Sequence, residues 1–126
     1  MLNLNQITIP STNLEKAIKF YQKLGLHLIV DSRPRYARFE CKKGDATLSL
    51  HKVDTIKEGE GVIVYFEIEK LDEYVNRLVA VGITFEELPK DQVWLWREAR
   101  LKDTDGNQLI LYHAEKNRKN PPWRIN

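Results

Sequence analysis

Two periodicities alternate along the chain, and they come in the same order twice. Ile7 and Ile9 alternate with Gln6 and Thr8, the period-two pattern of a half-buried strand. Leu14, Ala17, Ile18, Tyr21 and Leu24 then recur at helical spacing and form one apolar face. Thr12 or Asn13 can cap that helix, since Thr12-x-x-Glu15 has capping-box form, and Gly25 suits the left-handed position that stops it. Three short strands are predicted next, over 26–31, 36–41 and 46–51, with a turn at Lys43-Gly44-Asp45. The pattern restarts with a strand over 62–68 and a helical stripe of Leu71, Tyr74, Val75, Leu78 and Val79, ended by Gly82. Strands are predicted over 84–88, 93–101 and 108–113, the last two joined by the turn Asp105-Gly106-Asn107.

The two halves align at a constant offset of 57 positions, which sets Leu14 on Leu71, Ile18 on Val75 and Gly25 on Gly82. A repeat of this kind marks duplicated supersecondary units. The expected organisation is a single domain over residues 1–126. It comprises a first βαβββ module (about 1–53), a charged, glycine-containing linker (54–61), a second module (about 62–113) and a C-terminal arm (114–126). The arm, with Pro121 and Pro122, is expected to be irregular, with Trp123 packed on the body or on a second subunit.

At 126 residues the chain can bury roughly two-thirds of its unfolded surface, so folding requires no disulfide or metal. Twenty basic against 18 acidic residues leave a formal net charge of +2, no electrostatic basis for binding nucleic acid or an anionic membrane. Cys41 is the single cysteine, which excludes an intrachain disulfide and a CxxC metal pair. No apolar run is long enough to span a bilayer, and the N-terminal residues lack the charged and apolar regions of a leader. These features lead us to expect a cytoplasmic protein.

Two stretches carry a resemblance. Residues 13–21, Asn-Leu-Glu-Lys-Ala-Ile-Lys-Phe-Tyr, followed by Gly25, and the turn Asp103-Thr104-Asp105-Gly106-Asn107 resemble the helix and turn signatures of the vicinal oxygen chelate superfamily. That group includes glyoxalase I, bleomycin-resistance proteins and extradiol dioxygenases. The resemblance implies an α+β fold of two tandem βαβββ modules whose sheets curl into a cup. It also implies a divalent cation held by one residue from the first and one from the last strand of each module. Those positions are Gln6, His51, Ile63 and Ile110. Isoleucine has no lone pair, and two neutral ligands fall short of the three protein ligands of a catalytic zinc site. No cofactor is therefore expected; the alternative is a divalent metal ion on Gln6 and His51 with Glu67 or Glu98 as a displaced carboxylate.

Residues two apart share a strand face, so the cup-facing set follows by alternation. It comprises Gln6, Thr8, Tyr36, Arg38, Glu40, Thr47, Ser49 and His51 in the first module. In the second it comprises Tyr65, Glu67, Trp94, Trp96, Glu98, Arg100 and Tyr112. Aromatics mixed with Arg, Glu and His suit a pocket for a polar, partly planar organic molecule, with Arg38 or Arg100 clamping an anion. Cross-strand ion pairs Arg38–Glu40 and Glu98–Arg100 are the structural alternative. His51 is the best candidate for a catalytic group, as a general base oriented by Glu67 or Glu98. The function expected is metal-free binding of a small organic molecule by a homodimer. The alternative is a metal-dependent lyase, isomerase or dioxygenase.

Overall fold

The computed structural model describes residues 1–57 and 61–126. Part of the expected linker, residues 58–60, lies outside the described residues. The order of elements is β1 (Gln6–Ser11), α1 (Leu14–Leu24), β2 (His27–Ser32), β3 (Tyr36–Glu40), β4 (Thr47–Lys52), β5 (Ile63–Glu67), α2 (Leu71–Ala80), β6 (Glu87–Asp91), β7 (Arg97–Lys102), β8 (Gln108–His113) and α3 (Lys116–Lys119). The architecture is α+β, with two four-stranded sheets ordered β1-β4-β3-β2 and β5-β8-β7-β6. In each sheet the first strand of the module runs parallel to its last, and the remaining pairs are antiparallel. The chain divides into two compact units, one of residues 1–60 with 103–107 and one of 61–102 with 108–126.

In the first unit every residue of the expected α1 stripe is buried, and Tyr21 packs on Phe39 of β3. Asn13 is the cap: its side chain accepts from the Lys16 amide, while Thr12 is engaged elsewhere. Gly25 closes the helix with φ of 119°, a conformation in which a Cβ would clash. Ala37, Phe39, Leu48 and Leu50 complete this core. The turn at 103–107 is fastened to it by Asp103, which accepts from the Tyr21 hydroxyl and from the Asp105 and Asn107 amides.

In the second unit Leu71, Val75 and Leu78 are buried, Tyr74 is half-buried and Val79 is exposed, so the α2 stripe is narrower than its periodicity suggests. Two strands differ from expectation. β6 lies three residues further along than predicted and contains Pro89, which an edge strand tolerates because its outward N–H has no ladder partner; the register slips between Glu87 and Lys90. β7 begins at Arg97, because residues 92–95 make the hairpin turn, with Leu95 at φ of 68°. The tail is also more ordered than expected: α3 forms one helical turn ahead of the prolines, while Trp123 stays 57% exposed.

Candidate functional site

Each sheet turns one face to its helix and the other away, and the residues expected to bind ligand lie on the faces turned away. In the first unit the cross-strand partners are Gln6 with Thr47, Thr8 with Ser49, Arg38 with Ser49, Glu40 with Thr47 and Tyr36 with His51. Gln6, Thr8, Tyr36, Arg38, Glu40, Thr47, Ser49 and His51 therefore share a face, as alternation predicts. Several of them form one hydrogen-bonded chain. The Gln6 amide nitrogen donates to Ser49 Oγ at 2.6 Å, and the Thr47 hydroxyl donates to Gln6 Oε1. Ser49 Oγ lies 2.5 Å from the Tyr36 hydroxyl, to which Arg38 Nε donates at 2.9 Å. Burial opposes ionisation of the Tyr36 phenol, but hydrogen bonds from Ser49 and Arg38 and the Arg38 charge outweigh it and hold the phenol below the ordinary tyrosine range.

Two sequence expectations change here. Glu40 pairs with His27 at 2.7 Å, so the Arg38–Glu40 ion pair does not form. Gln6 and His51 do not oppose each other: the parallel register sets Gln6 on Thr47 and His51 on Pro10. Four residues of strand separate them along the face, about 13 Å, too far to share one cation. The register also identifies the first-module counterpart of Ile110. Tyr65 pairs with Ile110 as Thr8 pairs with Ser49, and Thr8 and Tyr65 are related by the repeat offset. The counterpart is Ser49; His51 corresponds to Tyr112.

The face of the second unit is aromatic. Trp96 stacks on Tyr112 with centroids 4.5 Å apart and planes 16° from parallel, and Tyr65 meets both rings edge-on. Ile63 and Ile110 pack into this cluster, Ile110 with 1% of its surface exposed. Tyr65 remains 46% exposed, leaving it open to a planar partner. Burial first, and then the Glu67 carboxylate, push the Tyr112 phenol above its ordinary range. Both carboxylates are committed. Glu67 accepts from the Ala114 and Glu115 amides, each at 2.8 Å, and Glu98, 2% exposed, accepts from Trp94 Nε1 at 2.7 Å and pairs with Arg100.

These observations test the cation site that the resemblance implies. By register its four positions are Gln6, Ser49, Ile63 and Ile110. The first two are neutral and bonded to each other, and the other two are hydrocarbon. Among the described residues no three His, Cys, Asp or Glu side chains group as a metal site. The residues present do not fit a divalent cation.

Tyr36 is the residue that sequence reasoning undervalued. It stands on the face that alternation predicts, but its role depends on Ser49 of the neighbouring strand. The visible signal was Tyr36 and Arg38 two apart in one strand. His113 donates through Nδ1 to the Ile68 carbonyl.

Two βαβββ units with parallel outer pairing define the class of paired-module α+β proteins. The chain belongs to the Glyoxalase/Bleomycin resistance protein/Dioxygenase superfamily, whose family model matches residues 3–111. It is 28% identical over 127 residues to a trivalent organoarsenical cleaving enzyme of Bacillus sp. (strain MD1), covering 88% of this chain and 75% of that relative. A glyoxalase/bleomycin resistance protein/dioxygenase from Nocardioides superposes with a TM-score of 0.79 at 23% identity, covering 100% of this chain and 91% of that one. A bleomycin-binding protein complexed with bleomycin gives a TM-score of 0.70 at 20% identity, covering 90% of this chain and 98% of that one. At these identities the structural likenesses establish the fold alone.

Proposed function

We propose that this protein binds a small organic molecule, part aromatic and part polar, without using a metal ion, on a sheet face that its helices leave uncovered. The observation that carries this reading is the direct Gln6–Ser49 hydrogen bond, taken with Ile63 and Ile110 in an apolar cluster, at the positions where the superfamily's cation would sit. The faces otherwise offer what small-molecule sites use: an aromatic surface at Tyr65 with Trp96 and Tyr112, and convergent polar groups at Tyr36, Arg38 and Ser49. Thr8, Glu40, His51, Glu67, Glu98 and Arg100 complete the proposed lining. The bleomycin-bound relative supports binding of an organic molecule by this fold. We place the protein in the cytoplasm as a homodimer, a state suited to the exposed Val93, Leu95 and Trp123. Among the described residues no helix is long and apolar enough to cross a membrane.

The arsenical-cleaving relative supports a second reading, catalysis on the same faces. Thiol capture of an arsenical would fall to Cys41, the chain's single cysteine, but burial pushes its thiol above the ordinary range and away from the reactive thiolate. The test is metal content by mass spectrometry after exposure to Zn²⁺, Mn²⁺, Fe²⁺ and Ni²⁺, followed by a ligand screen on tryptophan fluorescence. Metal far below one ion per chain, with saturable quenching by an aromatic compound that is recovered unchanged, is the expected result. Stoichiometric metal that is lost in Gln6→Ala or His51→Ala would overturn the metal-free reading in favour of an enzyme.

A further inference from the structure

The hydrogen-bond chain on the first sheet fixes where its protons lie. The Gln6 amide nitrogen sits 3.3 Å from the Ile7 carbonyl oxygen, which can only accept, so the amide is oriented with its nitrogen toward Ser49. Ser49 Oγ accepts there, and its single hydrogen needs another partner. Ser49 is wholly buried, and its remaining side-chain neighbour is the Tyr36 oxygen. A hydrogen directed anywhere else would be a buried donor left unsatisfied, so Ser49 donates to Tyr36. Arg38 Nε donates to the same oxygen. The phenol oxygen is then filled by two incoming hydrogen bonds, and its own proton is left outside the network.

Arg38 supplies the second half of the feature. Arg33, Arg97 and Arg100 each hold a carboxylate. Among the described residues none lies within ion-pair distance of Arg38, because Glu40 is held by His27. A half-buried guanidinium thus keeps its terminal N–H groups free beside a phenol proton left outside the network. Both groups are donors, one carries positive charge, and they stand on one strand two residues apart. This is a recognition pattern for an anionic oxygen pair. The depressed ionisation of Tyr36 agrees with it, since the same two hydrogen bonds that free the proton also make it more acidic.

We propose that Tyr36 and Arg38 form an oxyanion site that binds the carboxylate of an aromatic acid, with Ser49 and Gln6 as positioning residues that keep the Tyr36 proton outside the network. This rests on the small-molecule reading above and gives its ligand a chemical class. Carboxylates and phosphoryl groups share the charge and the oxygen pair, but the planar fork of Arg38 favours the carboxylate.

The test is NMR titration of the protein labelled at arginine Nε, with three probes: benzoate, phenyl phosphate and the neutral isostere benzamide. Benzoate is expected to shift the Arg38 Nε–Hε resonance saturably, and benzamide to leave it in place. Tyr36→Phe is expected to weaken benzoate by about tenfold, the value of one charge-assisted hydrogen bond. Arg38→Met, followed on the benzoate proton signals because the arginine probe is gone, is expected to abolish binding, and Arg77→Met, on α2, to leave it unchanged. Ser49→Ala, which removes the donor to the phenol oxygen, is expected to raise the Tyr36 phenol's midpoint in an ultraviolet titration. Equal binding of benzamide, benzoate binding that survives Arg38→Met, or no saturable shift would overturn the site. Tighter binding of phenyl phosphate than of benzoate would overturn the carboxylate assignment. If benzoate fails while neutral aromatics quench tryptophan fluorescence, this inference falls and the binding function stands; if no organic probe binds at all, both fall.

Discussion

The hydroxyl of Tyr21, in the last turn of α1, donates to Oδ2 of Asp103 at 2.5 Å across 82 positions of sequence. Both residues are buried. The bond anchors the 103–107 turn, whose Asn107 side chain reaches the Pro10 carbonyl and whose Asp105 accepts from the Thr12 amide and hydroxyl. Tyr21→Phe keeps the ring packing on Phe39 and leaves Asp103 with its backbone donors and Asn107 alone. Removing one partner of a buried charged group costs about 1–3 kcal/mol, so the urea midpoint of this variant should fall by that equivalent. A change under about 0.5 kcal/mol would show that the turn is held without Tyr21.

The same bond sets an alkaline limit on stability. Burial, then the Asp103 charge and hydrogen bond, raise the Tyr21 phenol far above its ordinary 10.0. A phenol that ionises near 10 when unfolded but stays protonated when folded stabilises the native state fully below that value. Its contribution is lost as pH rises beyond it, because only the unfolded chain then releases the proton. Wild-type stability should decline above about pH 10 more steeply than that of Tyr21→Phe, the difference approaching about 1.4 kcal/mol per pH unit. Denaturant melts at several alkaline pH values measure it. Parallel slopes would mean that Tyr21 ionises in the native state.

Much of the fold was legible in the sequence because local pattern and tertiary packing agree. The α1 stripe is buried residue for residue, and the repeat offset carries β1 onto β5. Pattern failed where a residue's local preference was overridden. Pro89 reads as a strand breaker until β6 is known to be an edge, and Val93-Trp94-Leu95-Trp96 alternates like a strand although residues 92–95 turn.

The site was half legible, and the missing half is register. Alternation assigns each residue to a face without saying which residue of the next strand lies beside it. Counting along β4 placed His51 opposite Gln6, whereas the ladder places Thr47 there and makes Ser49 the counterpart of Ile110. The Gln6–Ser49–Tyr36–Arg38 chain crosses three strands, so no single segment contains it.

Glu67 accepts two successive amides at the exit of β8, those of Ala114 and Glu115, just ahead of α3. A carboxylate with two such bonds acts as a clasp on the tail, and Trp96 Nε1 adds a bond to the Asn117 carbonyl. In Glu67→Ala the two amides lose their acceptor while the sheet keeps its ladder. Hydrogen exchange at Ala114 and Glu115 should speed up by about tenfold or more, with little change in α1 amides. Unchanged protection at both positions would assign the order of the tail to Trp96 instead.

Ile110 offers the strictest test of how far the superfamily's cation site has been lost. Ile110→Glu restores a carboxylate at that position, but into a cluster of Ile63, Trp96, Tyr112 and Ala114. The cross-strand neighbour Arg100 is already paired with Glu98. An unpaired buried charge costs about 3 kcal/mol or more, so the melting temperature should fall sharply. A cation that bound only the native state would reverse the loss by mass action. Because Gln6 and Ser49 satisfy each other and Ile63 contributes no donor, neither Zn²⁺ nor Mn²⁺ should raise the melting temperature of this variant. Recovery of several degrees on adding either ion would show that one side chain separates this protein from a working metal site.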